Sequence, residues 1–379
     1  MTHRLNTSAV ALVTGHENPH KPESALDWGV LARFPGTLVV YMGVSHLGQL
    51  VQTLLAHGKS PDTPSAVVQW ATTGDQRTVE APLIDLPRAV QHGGITAPAI
   101  VLIGPVVALR AQLAWFEQRP LYGKRVLVSR PRHQAGEMVR RLEQLGAGVV
   151  LLPVVEIREP EDWTPVDQAL ADLPRYHWLV FTSVNGVHAL IQRLGQTGRD
   201  LRALGSLKLA AIGPATAEAL RGYYLQADLV PEDYCSEGLA VSLKERVAGQ
   251  RVLLARADRG LDLLRRELAA VADVNQVAVY SQQDVATVNP RVLDHVRRGE
   301  VDYITLTSSN IARALITALD EPCRARILSG QVKLVSISPR TSAVIRELGL
   351  PVAAEAITYT SAGVVEALIT LAGPDHSNQ

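Results

Sequence analysis

Aromatic side chains are scarce here: Phe, Trp and Tyr together make up 4% of 379 residues, although 47% are hydrophobic. The cores must therefore be aliphatic. Cysteine is almost absent. Cys235 and Cys323 are the two, and neither stands at metal-ligand spacing. Two in a chain this long make no disulfide framework, so reduced thiols and a cytoplasmic protein are expected. Excess charge of either sign is missing too, with 37 Lys+Arg against 37 Asp+Glu. No global field supports a nucleic-acid or anionic-membrane partner, and any anion site must be local. No stretch approaches the roughly 20 apolar residues of a membrane span, and the first residues form no secretory signal. Nothing resembles a metal site, a Ser-His-Asp set or a phosphate loop. The histidines are scattered, and His177 and His188 read as surface residues.

What is present is a repeat. Residues 180–190 read V-F-T-S-V-N-G-V-H-A-L, and residues 305–315 read T-L-T-S-S-N-I-A-R-A-L. Ser183 and Ser308 stand 125 positions apart. At that same offset, Ile212-Gly213-Pro214-Ala215-Thr216 matches Ile337-Ser338-Pro339-Arg340-Thr341. Tyr234-Cys235-Ser236-Glu237-Gly238 likewise matches Tyr359-Thr360-Ser361-Ala362-Gly363. Three cassettes in one register indicate two copies of one α/β unit with a ligand between them. A further echo links 125–130 (R-V-L-V-S-R) to 251–256 (R-V-L-L-A-R).

From residue 124 on, strand and helix patterns alternate, which predicts parallel sheets with helices on both faces. The expected strands include 125–130, a long one over 149–157, 178–183, 208–213, 226–230, 251–256, 277–280 and 301–308. A helix is expected to begin near Thr216 with Pro214 just outside it, and Ser236 is expected to cap a helix over 237–247. Polar crossings are expected near 158–165 and 281–284. Upstream, strands are predicted at 10–14, 37–42, 65–70 and 99–104, with a helix over 47–57. That segment opens on a strand with no Gly-rich loop before it, so it is an incomplete unit. The pattern resets after 115–123, a short polar stretch read as the boundary.

Ligands of such sheets bind at the carboxyl ends of strands. Ser129-Arg130, the two Thr-Ser pairs, the two Pro-x-Thr motifs and Ala255-Arg256 all fall there. Hydroxyls, helix N-terminal N–H groups and arginines (Arg130, Arg132, Arg256, Arg259, Arg340) bind carboxylates or phosphates. They supply no strong nucleophile and no pair of carboxylate bases. Helix capping accounts for any single Ser/Thr motif equally well.

Several segments carry a resemblance. Phe181-Thr182-Ser183, Ala211-Ile212-Gly213-Pro214-x-Thr216-Ala217, Ser236-Glu237-Gly238-Leu239, Val279-Tyr280 and Leu306-Thr307-Ser308 resemble uroporphyrinogen-III synthase over residues 124–370. The resemblance implies two doubly wound parallel-sheet domains joined by a two-stranded crossing near 155–160 and 277–284. One domain would hold 124–157 and 286–370, the other 165–278, with 371–379 a tail. It implies cyclisation of hydroxymethylbilane to uroporphyrinogen III without a cofactor, Tyr280 as the catalytic group, and Arg130, Ser183, Thr216, Ser236, Arg256, Ser308 and Thr341 as contacts to a small-molecule tetrapyrrole substrate.

Val13-Thr14-Gly15-His16, Val40-Tyr41-Met42-Gly43, Thr72-Thr73-x-x-Gln76-Arg77 and Ile103-Gly104-x-Val106-Val107 resemble the C-terminal lobe of uroporphyrinogen-III C-methyltransferase over residues 1–117, with 118–123 a linker. That resemblance implies S-adenosylmethionine as cofactor only if an N-terminal lobe completes the unit. Met42 and Ala71 would be what remains of its site, and Met1 an internal start of a longer fused enzyme. A bifunctional methyltransferase–synthase and a non-enzymatic two-lobe binder stand as alternatives.

Overall fold

The computed structural model describes residues 2–16, 25–260 and 262–373. Among the described residues, fifteen strands form three five-stranded sheets. The first sheet is N-terminal: β1 (Val10–Thr14), β2 (Thr37–Tyr41), β3 (Pro64–Gln69), β4 (Arg77–Pro82) and β5 (Ala99–Ile103), in the order β1-β2-β5-β3-β4. It is mixed, with only β1 and β2 parallel. The sequence reading missed β4. It is an edge strand bearing Arg77 and Glu80 and ending on Pro82, so it lacks the apolar signature of a buried one. The helix Leu47–Ala56 lies where its period placed it, burying Leu47, Leu50, Val51 and Leu54.

The next strands are β6 (Arg125–Val128), β7 (Gly148–Leu151), β8 (Val155–Arg158), β9 (Trp178–Phe181), β10 (Lys208–Ala211), β11 (Arg251–Ala257), β12 (Asp273–Asp284), β13 (Tyr303–Leu306), β14 (Lys333–Ser336) and β15 (Ala354–Glu355). One sheet runs β10-β9-β11-β12-β8, the other β15-β14-β13-β6-β7. All their pairs are parallel except β12 with β8. Each sheet thus has a switch point, where chain order reverses: between β9 and β11 in one, between β13 and β6 in the other. The cores are aliphatic as composition required; Trp178 and Phe181 are the aromatics among the largest fully buried side chains.

Several boundaries depart from the sequence reading. The long strand over 149–157 is two, broken around Pro153, which has no N–H to donate. Residues 226–230 form no strand but a single bridge from Leu229 to Ala210. There the Asp228 carboxylate accepts the Leu209 N–H at 2.7 Å, taking the place of a ladder bond. Pro214 is the first residue of the helix Pro214–Arg221, where its missing N–H costs nothing. The crossing at 281–284 is the end of one continuous 12-residue strand, β12, paired there with β8.

The polar stretch before residue 124 is no free linker. Leu121 and Phe116 are buried, and the Tyr122 hydroxyl donates to the Gln76 carbonyl at 2.7 Å. Asp75 pairs with Arg125 at 2.5 Å. Gly74 lies flat on the start of β7, where a Cβ would stand 2.0 Å from the Gly148 nitrogen. The N-terminal lobe is therefore docked on the synthase-like part through the turn at residues 72–76. Gly74→Ala should force this contact open, costing about 1–3 kcal/mol as overpacking does. A lower urea midpoint together with faster tryptic cleavage at Lys124 would register it; unchanged kinetics of cleavage would contradict the docking.

Candidate active site

The duplicated segments fold into matched strand-to-helix turns. Ser183 precedes the helix Val184–Gln196 with φ −165° and ψ 156°, and Ser308 precedes Ser309–Ala318 with φ −166° and ψ 160°. Each hydroxyl accepts the N–H three residues on, at 3.0 and 3.2 Å. Ser338 caps the helix Pro339–Glu347, while its counterpart Gly213 has no side chain to do so. Tyr234 packs over Gly213, whose missing Cβ would lie 3.2 Å from it. In the third cassette the cap is Cys235, not Ser236: its sulfur accepts the Gly238 N–H at 3.3 Å. Thr360 does the same for Gly363 at 3.1 Å. Ser outranks Cys in capping preference, and that preference misplaced the cap by one residue. Ser236 is the half-buried first residue of the helix Ser236–Lys244.

Thr216 and Thr341 are both buried in the first turns of their helices. Thr341 Oγ1 meets Ser338 Oγ at 3.2 Å, a local contact. Arg130 follows β6 and Arg256 lies in β11, so the two arginines and the two Thr-Ser serines flank the two switch points. Arg256 is buried, and burial pulls its guanidinium below the usual arginine range. Gly260, at φ 135°, leaves the room this guanidinium occupies; a Cβ there would be 2.0 Å from Nη2. Burial also lowers Arg130. Its guanidinium donates to Ser361 Oγ and, at 3.5 Å, to Gln134 Oε1, and its buried Nε has no hydrogen-bond partner.

Tyr280 is the centre of the constellation. It is 9% exposed, and its hydroxyl lies 3.0 Å from Ser183 Oγ. The cause of its placement is a register shift. Arg256 pairs with Ala278, but Ala257 pairs with Tyr280, leaving Val279 as an extra residue in β12. Strict alternation would put Tyr280 opposite Val277 and Val279; the bulge puts all three into one core. Asp258 holds the bulge. Its N–H donates to the Tyr280 carbonyl at 3.1 Å, and its carboxylate accepts from Ser281 Oγ at 2.7 Å and Gln282 N at 3.0 Å. Burial pushes the Tyr280 phenol above its ordinary value near 10, against the hydrogen bonds from Ser183 and Asn185 and the nearby Arg256, which lower it. The phenol is thus a neutral donor at pH 7.

Ser308 and Thr341 bond within their own turns, and the hydrogen bond to Tyr280 comes from Ser183. Met42 and Ala71 belong to the N-terminal lobe, both exposed. Sequence reasoning passed over Asp258, Gln134 and Asn185. Asn185 had a signal, because the repeated motif holds Asn310 in the matching place. The exposed histidines act locally: His188 Nδ1 meets the Tyr223 hydroxyl at 2.9 Å and His177 Nδ1 accepts from Arg251 N at 3.2 Å. Among the described residues, no His/Cys/Asp/Glu group could hold a metal ion, and no helix is long and apolar enough to cross a membrane.

The fold and site define a two-domain α/β protein whose sheets offer hydroxyls, helix N-termini and buried arginines around a buried tyrosine. Comparison with known proteins then gives the family: the chain belongs to the uroporphyrinogen-III synthases, whose family pattern (Uroporphyrinogen-III synthase HemD) matches residues 136–366. The pattern of the tetrapyrrole (corrin/porphyrin) methylases matches residues 3–87. The chain is 30% identical over 325 residues to the porphyrin biosynthesis protein HemD of Ruminiclostridium josui, covering 84% of this chain and 64% of that protein. It is 31% identical to the uroporphyrinogen-III synthase of Synechococcus elongatus, over 66% of this chain and 96% of that one. The S-adenosyl-L-methionine-dependent uroporphyrinogen III methyltransferase of Methanosarcina barkeri is 46% identical over 31% of this chain and 46% of its own length. The chain thus spans less than two thirds of the first and third of these relatives.

Ser183→Ala and Ser308→Ala remove equivalent caps, and each should cost about 1 kcal/mol in urea unfolding. Only Ser183→Ala should also change the ultraviolet titration of a buried tyrosine. An equal spectral response from both would separate Ser183 from Tyr280.

Proposed function

We propose that this chain cyclises hydroxymethylbilane to uroporphyrinogen III, with inversion of the last pyrrole ring and loss of water. The observation that carries the reading is the buried, neutral Tyr280 phenol held against Ser183 beside the switch point of its sheet. Each pyrrole of the substrate bears an acetate and a propionate. Arg130 and Arg256 and the capped helix N-termini are suited to such carboxylates. In this reading residues 124–157 and 286–370 form one wall of the cleft and 165–278 the other. The pyrrole nitrogens expel the terminal hydroxyl; the phenol donates a hydrogen bond or proton to the departing oxygen. The nascent electrophile is attacked at the substituted carbon of the last ring, and the spiro intermediate fragments and recloses. The protein folds the chain so that this carbon is the one attacked. The reaction needs no cofactor and suits a cytoplasmic hydro-lyase.

Purified chain supplied with hydroxymethylbilane should give isomer III; isomer I alone would refute the reading. Tyr280→Phe should slow turnover by roughly ten- to a hundredfold while still giving isomer III, since general-acid assistance is a limited factor. Wild-type activity should persist through neutral pH and fall only as the raised phenol ionises, above its ordinary value near 10.

The methylase-like lobe suggests a bifunctional enzyme, but its residues do not fit S-adenosylmethionine as they stand. Met42 is 62% exposed, and Ala71 carries a Cβ where close backbone approach would be needed. In the turn that follows, the Thr72 N–H is taken by Gln76 Oε1 at 2.7 Å and Gly74 is pressed onto Gly148. Calorimetry with S-adenosylmethionine should show no binding to this chain; measurable binding would revive the second activity.

A further inference from the structure

The two domains touch beside Tyr280 through a pair of amides. Gln134, on the helix Arg132–Gln144 that follows β6, donates through Nε2 to Asn185 Oδ1 at 2.6 Å. Asn185 is the second residue of the helix capped by Ser183, in the other domain, and the Ser183 hydroxyl of that same helix end lies 3.0 Å from the Tyr280 phenol. The orientation of both amides follows from the ends of the chain. Arg130 can only donate, and its guanidinium faces Gln134 Oε1, so Gln134 presents its NH2 to Asn185. Asn185 accepts with its oxygen. Hydrogen bonds thus run one way, from Arg130 through Gln134 to Asn185, and so tie the domain of Gln134 to the helix end whose Ser183 meets the Tyr280 phenol.

The duplicate position reaches the same strand. Asn310, 125 residues after Asn185, donates through Nδ2 to Gln282 Oε1 at 2.9 Å. Gln282 is two residues beyond Tyr280 on β12. Each duplicated helix start therefore contacts β12, one through Ser183 at the phenol and one through Asn310 at the crossing. Only the Asn185 side carries the interdomain bond from Gln134.

We propose that Gln134 and Asn185 form an interdomain latch: closing the domains joins their amides and thereby fixes the Tyr280 phenol as a donor into the cleft. Both are positioning residues, acting through Tyr280. Opening the cleft breaks the Gln134–Asn185 bond and releases the helix end whose Ser183 holds the phenol. The catalytic part of this inference rests on the cyclisation proposed above; the closure part does not.

Two measurements test it, on the full chain and on Gln134→Ala, Gln134→Glu, Asn185→Ala and the double alanine variant. The first is small-angle scattering. The alanine variants should show a larger radius of gyration than wild type at an unchanged unfolding midpoint, and an unchanged radius would overturn the latch. The second is steady-state formation of isomer III. Each single variant should lose about tenfold in kcat with KM within about twofold, as a misplaced catalytic group does. The double variant should be no worse than the poorer single one, because both break the same chain. Multiplicative losses, or a change confined to KM, would overturn it. Gln134→Glu keeps the shape and the oxygen facing Arg130 but has no donor for Asn185, so it should behave as Gln134→Ala. Wild-type turnover in that variant would refute the directional chain. Should wild type yield isomer I alone, the cyclisation reading fails, and scattering still decides the latch.

Discussion

Strand β12 serves two structures at once, and the rest of the synthase-like part depends on that. Its first half is a parallel neighbour of β11; its last four residues run antiparallel to β8. Tyr280 sits at the change. A regular strand could not place it there, since period-two alternation would turn the phenol to the face opposite Val277 and Val279. One extra residue at the bulge reverses that face, and Asp258 secures it with bonds to the Tyr280 backbone, Ser281 and Gln282. A site residue is thereby placed by a local irregularity at the hinge, where the two domains share a strand.

The duplication explains why polar groups gather around this point. Each copied strand-to-helix turn must satisfy orphan helix N–H groups, and a Ser, Thr or Cys at the cap does so. Capping is therefore a sufficient reason for Ser308 and Thr360 to be what they are. Ser183 differs because one hydroxyl does two things: it accepts from Gly186 N and meets the Tyr280 phenol. Capping and ligand contact were competing explanations for the motif when only the sequence was considered. The geometry makes them compatible, since the cap is what holds the hydroxyl at the carboxyl end of β9.

Much of this was legible from residue pattern. The constant offset of three cassettes predicted matched turns, and the backbone angles at Ser183 and Ser308 agree within a few degrees. Alternating strand and helix signals predicted parallel sheets, and the paired crossings exist as β8 and the end of β12. What escaped was whatever depends on contacts distant in sequence. The β4 edge reads as a charged loop because one side of it faces no neighbouring strand. The bulge leaves no mark in V-A-V-Y, as its cause lies in Asp258, twenty-two residues upstream. Gln134 and Asn185 are 51 positions apart and carry no charge, so neither spacing nor composition joins them.

Charge neutrality over the whole chain sharpens how an anionic substrate would be recognised. With equal numbers of acidic and basic residues there is no long-range steering to speak of, so recognition falls to short-range groups. Arg130 and Arg256 suit that role because they are buried: a guanidinium removed from water regains solvation from a carboxylate more strongly than an exposed one does. Arg259 pairs with Asp284 at 2.8 Å on the surface, where screening leaves such a pair little worth. The same low-dielectric setting that lowers the two arginines raises the Tyr280 phenol. Burial at the switch points thus acts on both halves of the constellation together, lowering the two guanidinium groups and keeping the proton on the phenol.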